Sequence, residues 1–357
     1  MATIYEYIKE SPQAYRHVLE NRAAISESFV ELYRSTMPDV VFLVGSGTSL
    51  NGCLAAAPFM EMVLGQEVRA CAASDMPSVH GMKPLFIYVS QGGNSTNTSK
   101  AIEDYSMYPS LVITGSEKGY INAMGTKWQL LECGEELAGP KTKGYIVTII
   151  QLYVAALETA KALGRISEER YQEIVGVLEK AGENFDGNVE ASDEWFKRNV
   201  NLLKGLHAVF MTGKKLDALI AREDGLKIME TLLIPVLAYD FEEALHGPAS
   251  CLDNRVAGFY FVPEESDPDA QRTRALAEFH RKRCGAVFTI TSTETGDPRD
   301  CVVKTTGEWY TSPFERSIAC QLVGALIPGL TAMDPQSGHQ RFRELSDAVH
   351  TKHQEDH

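Results

Sequence analysis

Two segments of this chain share one design: an apolar run, a short turn of glycine and hydroxyl residues, and then a helical pattern. In the first segment, VVFLV at 40–44 is followed by GSGTS at 45–49 and a helical pattern over 50–64. In the second, LFIYV at 85–89 is followed by SQGGNST at 90–96 and a helical pattern over 97–106. Strands that turn directly into helices build parallel sheets, so this design restricts the chain to α/β folds.

The alternation of strands and helices runs along most of the chain. The predicted strands are short, β-branched runs at 40–44, 68–71, 85–89, 111–114, 208–211, 234–238, 256–262 and 286–290. The predicted helices lie at 4–35, 50–64, 97–106, 142–164, 215–231, 268–283 and 313–326. Such alternation predicts parallel sheets with helices on both faces.

The chain also divides into two similar halves. VFMTG at 209–213 occupies the place in the second half that FLVG at 42–45 occupies in the first. A charged helical segment over 166–204, with a turn-like DGN at 186–188, separates them. We therefore predict a first domain at 1–165, bridging helices at 166–204, a second domain at 205–338 and a C-terminal tail at 339–357.

Charge, cysteine content and hydropathy argue against several classes of function, among them nucleic-acid binding and membrane insertion. The 357 residues carry a net charge of −14, which argues against a nucleic-acid surface or an anionic membrane. Seven scattered cysteines without a CxxC pair indicate reduced thiols, and no cluster with metal-ligand spacing predicts a metal or another cofactor. The N-terminus lacks a signal pattern, and the apolar stretch 145–157 is too short to span a bilayer. We expect a cytoplasmic protein.

The two glycine–hydroxyl turns, 45–49 (the first turn) and 90–96 (the second turn), predict a phosphate site. Glycines allow a sharp turn, the start of a helix offers unpaired N–H groups, and serine and threonine hydroxyls add donors. Either turn alone is also explained as a tight turn without a ligand. Two of them close together in the sequence favour a small phosphorylated ligand.

Three further segments contain residues that suit catalysis. EELAGPKTKG at 135–144 places Glu136 and Lys143 before a long helix, and a solvated loop with a helix cap is the alternative. Lys227 and Glu230 are three apart on one helical face and can pair; without further context, a surface ion pair is the favoured explanation. His246 follows an acidic helical stretch that Gly247 ends, and histidine titrates near neutrality; a structural or solvated histidine is the alternative.

In their order along the chain, these motifs resemble the double sugar-isomerase (SIS) domain phosphosugar family. GSGTS, SQGG, EELAGPKTKG and FEEALHGP are similar to the isomerase half of glutamine–fructose-6-phosphate amidotransferases and to fructosamine-6-phosphate deglycases and amino-sugar-phosphate deaminases. The resemblance covers about residues 5–345. It implies two SIS domains, each a flavodoxin-like, three-layer αβα sandwich.

The resemblance also implies roles for individual residues. Glu230 matches the general base that moves a proton between C1 and C2, Lys227 a lysine near the developing oxyanion, and His246 a ring-opening histidine supplied by the partner subunit. A homodimer with a shared active site is therefore expected. The residues matching sugar-phosphate contacts are Ser46, Thr48, Ser49, Ser90, Gln91 and Ser95, with Gly139 and Glu243 as further substrate contacts.

Departures from the family pattern bear on the reaction. Gly92 replaces a serine that is usual in the amidotransferases, and no glutaminase domain with its N-terminal cysteine is present, so glutamine is not the expected ammonia source. Asp347 aligns with the lysine that forms an imine in the amidotransferases, while Lys352 lies five residues further on. These differences favour a deglycase or deaminase that releases an amine from a 6-phosphorylated fructosamine or amino sugar. An aldose–ketose isomerase and a non-catalytic sugar-phosphate sensor stay open as alternatives.

Overall fold

The computed structural model describes residues 3–331 and 337–353, and the chain divides into two compact units. The first unit comprises Glu10–Leu137, Lys141–Glu179 and Arg343–His357, and the second comprises Met1–Lys9, Ala138–Pro140 and Lys180–Phe342. The units are interleaved along the chain, whereas the predicted domains are consecutive. The domain boundaries stay predictions, and the end of the predicted tail, 354–357, lies outside the described residues.

The first unit contains a five-stranded, all-parallel sheet with the order β2-β1-β3-β4-β5. Its strands are β1 (Val40–Gly45), β2 (Val68–Ala72), β3 (Pro84–Val89), β4 (Ser110–Thr114) and β5 (Lys127–Leu130). Every residue of β1, β3 and β4 is buried, as their continuous apolar runs require when helices cover both faces of a parallel sheet.

Helices connect and flank the strands. Those of the described residues are α1 (Ile4–Glu20), α2 (Arg22–Thr36), α3 (Thr48–Leu64), α4 (Thr96–Asp104), α5 (Lys143–Ala162), α6 (Glu168–Leu203), α7 (Leu216–Leu232), α8 (Phe241–Leu245), α9 (Asp269–Arg281), α10 (Ser312–Arg316), α11 (Ile318–Leu330) and α12 (Ser337–Val349). Helix α5 packs against α2 and α3 in the core of the first unit. It is long and apolar enough to cross a membrane, yet 83% of its most apolar window is buried inside the protein.

The second unit repeats the same sheet. Its strands are β6 (Val209–Gly213), β7 (Val236–Asp240), β8 (Ala257–Phe261), β9 (Val287–Thr291) and β10 (Asp300–Val302). They are parallel in the order β10-β9-β8-β6-β7, which is the order of the first sheet read from the other edge. The predicted α/β fold of two flavodoxin-like domains is confirmed.

Both sheets contain a topological switch point. From β1 the chain continues to β2 on one side and then to β3 on the other, and β6, β7 and β8 repeat this path. Ligands of open parallel sheets bind beyond the carboxyl ends of the strands at such a point. In the first unit, these ends carry the first turn and the second turn.

Several details of the secondary structure differ from prediction, among them helix α12, most of which lies in the predicted C-terminal tail. Strands β5 and β10 were not predicted, because both are short edge strands without an apolar run. The predicted turn at 186–188 is wrong, since α6 continues through it. Asn188 is buried there, and its side-chain amide exchanges two hydrogen bonds, of 2.8 Å and 2.7 Å, with the backbone of Lys304. These tertiary bonds outweigh the weak helix propensity of the Asp-Gly-Asn sequence.

Candidate functional site

The first turn and the second turn lie side by side in the first unit, because β1 pairs directly with β3. Each turn ends in a helix: α3 begins at Thr48 after Gly47, and α4 begins at Thr96 after Ser95. Gly47 has a φ of +55° and Gly93 a φ of +71°, backbone conformations that side-chain-bearing residues rarely adopt. The glycines therefore fix the two sharp entries into helices that the sequence predicted.

A side chain that the sequence analysis did not single out connects the two turns. Asn97 Nδ2 donates to Ser46 Oγ at 2.8 Å, and Ser95 Oγ donates to Asn97 Oδ1 at 2.7 Å. This network holds one hydroxyl from each turn in a fixed place. Thr48 and Ser49 are half-buried at the start of α3, and Ser90 is buried at the end of β3.

Gln91 is oriented by a buried carboxylate. Its Nε2 donates to Glu136 Oε2 at 2.8 Å, and Glu136 also accepts backbone N–H bonds from Thr142 (2.8 Å), Lys143 (3.1 Å) and Gly144 (2.9 Å). Glu136 is therefore a buried cap of α5. A Cβ on Gly144 would overlap the Gln91 amide, so the absence of a side chain there gives Gln91 its place.

The sequence allowed a solvated loop with a helix cap as the alternative to a catalytic role for residues 135–144. Glu136 is indeed a helix cap, but it is buried rather than solvated. Lys143 contacts Glu136 through its backbone N–H, while its Nζ lies 2.6 Å from Glu10 Oε2 and 3.0 Å from the carbonyl oxygen of Glu135. Gly139 is exposed. Sequence spacing could not reveal the bond to Gln91, because it joins residues 45 positions apart.

The second unit contains three charged residues on α7, Glu223, Lys227 and Glu230, which we call the acid–base cluster. Lys227 Nζ lies 2.6 Å from Glu230 Oε2 and 3.4 Å from Glu223 Oε1. The Lys227 side chain is 2% exposed and that of Glu230 is 30% exposed, so the expectation of a surface pair is wrong for the lysine. Glu223, fully buried, is a partner that the sequence analysis missed.

Electrostatics keep this lysine charged. Burial alone would lower the pKa of Lys227, but Glu223 and Glu230 together outweigh burial and raise it. Burial also raises the pKa of the neighbouring Asp224 well above its usual range, and Glu223 adds to that effect. A buried ammonium therefore faces a carboxylate that is partly exposed to solvent, an arrangement able to move protons and to stabilise an oxyanion.

His246 and Glu243 lie on the surface of the second unit. Asp240 caps α8 by accepting a 3.0 Å bond from the backbone N–H of Glu242, and His246 follows the last residue of this helix, as predicted. Both Glu243 and His246 are exposed. Among the described residues, no hydrogen bond or ion pair joins the His246 imidazole to another side chain.

The switch point of the second sheet is built differently. Lys215 has φ +50° and ψ −113°, close to the +55° and −128° of Gly47, so the backbone turn is repeated. This turn-like segment is surrounded by ion-paired side chains rather than by hydroxyl groups. Lys214 Nζ lies 2.8 Å from Asp267 and 2.6 Å from Asp269. The candidate phosphate site thus belongs to the first sheet. No group of three or more His, Cys, Asp or Glu side chains in the described part of the chain is arranged to hold a metal ion.

Comparisons with known proteins agree with this architecture. No protein-family model matches the chain. It is 25% identical over 279 residues to the glutamine–fructose-6-phosphate aminotransferase (isomerizing) of Aeropyrum pernix, covering 74% of this chain and 43% of the relative. The chain therefore spans less than half the length of that relative.

Solved structures extend the match to nearly the whole chain. A candidate phosphosugar isomerase from Clostridium difficile superposes with a TM-score of 0.85 at 26% identity, covering 94% of this chain and 95% of the other. The glucosamine-6-phosphate deaminase of Thermotoga maritima shares the fold, with a TM-score of 0.64 at 20% identity over 90% of this chain and 96% of the other. Two parallel sheets with one strand order, the ordered motifs and these similarities agree: the chain has the fold of double sugar-isomerase (SIS) domain proteins and is similar to members of that family.

Proposed function

We propose that this protein is an enzyme that releases an amine from a 6-phosphorylated fructosamine or amino sugar. The observation that carries the proposal is the 2.6 Å pair between the buried Lys227 ammonium and the partly exposed Glu230 carboxylate. In the proposed reaction, Glu230 transfers the proton between C1 and C2, and Lys227 stabilises the developing oxyanion. The sugar phosphate binds the first turn and the second turn through Ser46, Thr48, Ser49, Ser90, Gln91 and Ser95.

Phosphate binding in this scheme has a catalytic purpose. A phosphate fixed at one end of a six-carbon sugar restricts where the reacting carbons lie, which converts binding energy into positioning. The hydroxyls of Ser46 and Ser95 support this role, because hydrogen bonds to Asn97 hold both of them in place.

The acid–base cluster supports catalysis over binding alone. A buried charge is costly unless it is paired, and Lys227 is held by two carboxylates. A sugar-phosphate sensor needs the two turns to bind its ligand, but it does not need an acid–base cluster. Hydrolytic release of the amine is favoured over synthesis by Asp347, which is exposed on α12 where the resemblance expects the imine-forming lysine.

His246 is proposed to open the sugar ring in the active site of a partner subunit. Its exposed position at the end of α8 supports a role outside its own unit. A homodimer with shared active sites follows from this assignment. Sedimentation should then give a dimer, and a fully active monomer would refute the placement of His246.

The decisive experiment incubates the protein with fructosamine 6-phosphates, glucosamine 6-phosphate and fructose 6-phosphate while free amine and sugar 6-phosphates are quantified. Release of amine with formation of a sugar 6-phosphate is the expected result. The Glu230→Gln variant should lose about 10²–10⁴-fold in kcat with little change in KM, because one general acid–base group is removed. The matched control is Glu190→Gln, an exposed glutamate of α6; full activity in Glu230→Gln would refute the proposal.

Isomerisation of an aldose and a ketose phosphate is the second candidate, since the Aeropyrum pernix relative is named as isomerizing. It uses the same base and phosphate site without an amine. The same incubation separates the two reactions: glucose 6-phosphate formed from fructose 6-phosphate, without amine release from any substrate, would favour the isomerase.

A further inference from the structure

The chain segment that follows α12 runs antiparallel to the second turn. The backbone N–H of Thr96 donates to the carbonyl of Thr351 at 3.1 Å, and the N–H of His353 donates to the carbonyl of Asn94 at 2.8 Å. Between these two bonds, Ser95 and Lys352 stand directly opposite each other. This is a non-hydrogen-bonded antiparallel pair, in which the two side chains lie on the same face and are closest together.

Side-chain contacts fix this segment in register. His353 Nε2 lies 2.7 Å from Ser99 Oγ, and the His353 ring stacks on Tyr120 with their centroids 3.9 Å apart. The hydroxyl of Thr96 donates to the carbonyl of His350 at 2.9 Å. Lys352 is therefore anchored from both sides, although its own side chain is exposed.

The face on which Lys352 lies is that of the hydroxyl network. Ser95 Oγ, its cross-strand neighbour, is hydrogen-bonded to Asn97, which in turn donates to Ser46. Neither 45–49 nor 90–96 contains a lysine or arginine, and the whole chain carries a charge of −14. A phosphate dianion at these hydroxyls would need a nearby cation, and the pairing with Ser95 brings one within the reach of a lysine side chain.

We propose that Lys352 is a phosphate-binding residue of this site, delivered by the C-terminal segment and anchored by His353. The inference rests on the proposed function of the two turns. It assigns Lys352 to the phosphate end of the sugar, because Ser95 belongs to the phosphate site. A lysine that forms an imine would have to reach the carbonyl carbon, several bonds away.

The test is calorimetric binding of inorganic phosphate and of fructose 6-phosphate to the full chain, with unphosphorylated fructose for comparison. Lys352→Gln should raise the Kd for both phosphorylated probes about tenfold or more, since the variant loses a charge-assisted hydrogen bond to the phosphate. Lys352→Arg should bind nearly as the wild type does. The matched control is Lys100→Gln, an exposed lysine on α4 that pairs with Asp104.

Further variants separate the possible failures. His353→Ala should weaken phosphate binding although Lys352 is present, because the segment loses its anchor. If Thr48→Ala with Ser95→Ala abolishes phosphate binding while Lys352→Gln binds as the wild type does, the role of Lys352 is refuted and the site stands. Absence of phosphate binding by the wild type would refute the site and the role of Lys352 together. Borohydride trapping of substrate on Lys352 would show an imine role and overturn the assignment.

Discussion

Replacement of Glu136 by glutamine tests whether one buried carboxylate stabilises the first unit and orients the Gln91 amide, which we propose contacts the sugar phosphate. Glu136 is 6% exposed. Its Oε1 accepts the N–H groups of Thr142 and Lys143, and its Oε2 accepts the N–H of Gly144 and Nε2 of Gln91. Glutamine has the same shape but replaces one acceptor oxygen by an NH2 donor.

The expected loss of stability follows from these contacts. With the new NH2 in the place of Oε1, the N–H groups of Thr142 and Lys143 face a donor; in the place of Oε2, the N–H of Gly144 does, and Gln91 must flip its amide to accept from the new NH2. A buried donor left without an acceptor costs about 1–3 kcal/mol, and losing a negative charge at the start of α5 costs about 0.5 kcal/mol more. The second orientation leaves fewer donors unsatisfied, so we expect Glu136→Gln to lower the free energy of unfolding by about 1.5–3.5 kcal/mol, and Gln91 to lose its present orientation.

Two assays separate these effects. Urea denaturation followed by circular dichroism gives the change in the unfolding midpoint, and calorimetric titration with fructose 6-phosphate gives the change in Kd. The matched control is Glu135→Gln, the exposed neighbouring glutamate, whose side chain should have no effect on either. A midpoint of Glu136→Gln that coincides with that of the control would refute the capping argument. Loss of stability with an unchanged Kd would refute the role of Gln91 alone.

Three further predictions follow from single positions. Gly92→Ser should fold normally and lower the KM for a phosphorylated substrate several-fold, because a Cβ at Gly92 meets no atom within 4 Å and the new hydroxyl adds a phosphate donor; an unchanged KM would remove residue 92 from the site. Burial raises the pKa of Glu315 to about 7 from an ordinary 4.5, so the folded protein keeps a proton that the unfolded chain releases, and stability falls as the pH rises through this window. Glu315→Gln should reduce the difference in unfolding free energy between pH 5 and pH 8 by about 2.5 kcal/mol, measured by urea titrations; an equal difference in both proteins would contradict the shift. Lys215→Gly should raise stability by about 1–2 kcal/mol in thermal unfolding, because a lysine at φ +50° and ψ −113° is strained and glycine is not; a lowered Tm would show that the strain is absent.

The fold was predictable because its signal is local. Strands β1, β3 and β6 are continuous apolar runs followed by a turn and a helical pattern, and the eight predicted strands are all present. What the sequence did not reveal depended on partners far along the chain. Strand β5 is recognisable only through its pairing with β4, and Asn188 stays in a helix only because Lys304 satisfies its amide.

The candidate site divides in the same way. Glycines and hydroxyls of the two turns form a local pattern, and the pairing of Lys227 with Glu230 follows from helical spacing. The supporting residues gave no such signal: Asn97 bonds to Ser46 across 51 positions, and Lys352 stands opposite Ser95 only because α12 leads it there. The burial of Lys227 was also missed, because an i,i+3 charged pair has the same spacing on a surface as in a core.

A comparison of the two switch points explains why one repeat has the features of a phosphate site and the other does not. Lys215 keeps the backbone conformation of Gly47 although a side chain makes it unfavourable, so the turn itself is common to both sheets. Beyond β6, however, Arg316 forms ion pairs with the buried Asp217 and with Glu264. Lys214 forms ion pairs with Asp267 and Asp269. Carboxylates already neutralise these cations and would repel a phosphate dianion. At the first switch point, the contacts between the two turns are hydroxyl and amide hydrogen bonds that leave the charge of an incoming anion uncompensated. The same backbone turn is therefore unfavourable for an anion at the second switch point. At the first switch point, the proposed Lys352 contact would supply the positive charge that a bound phosphate needs.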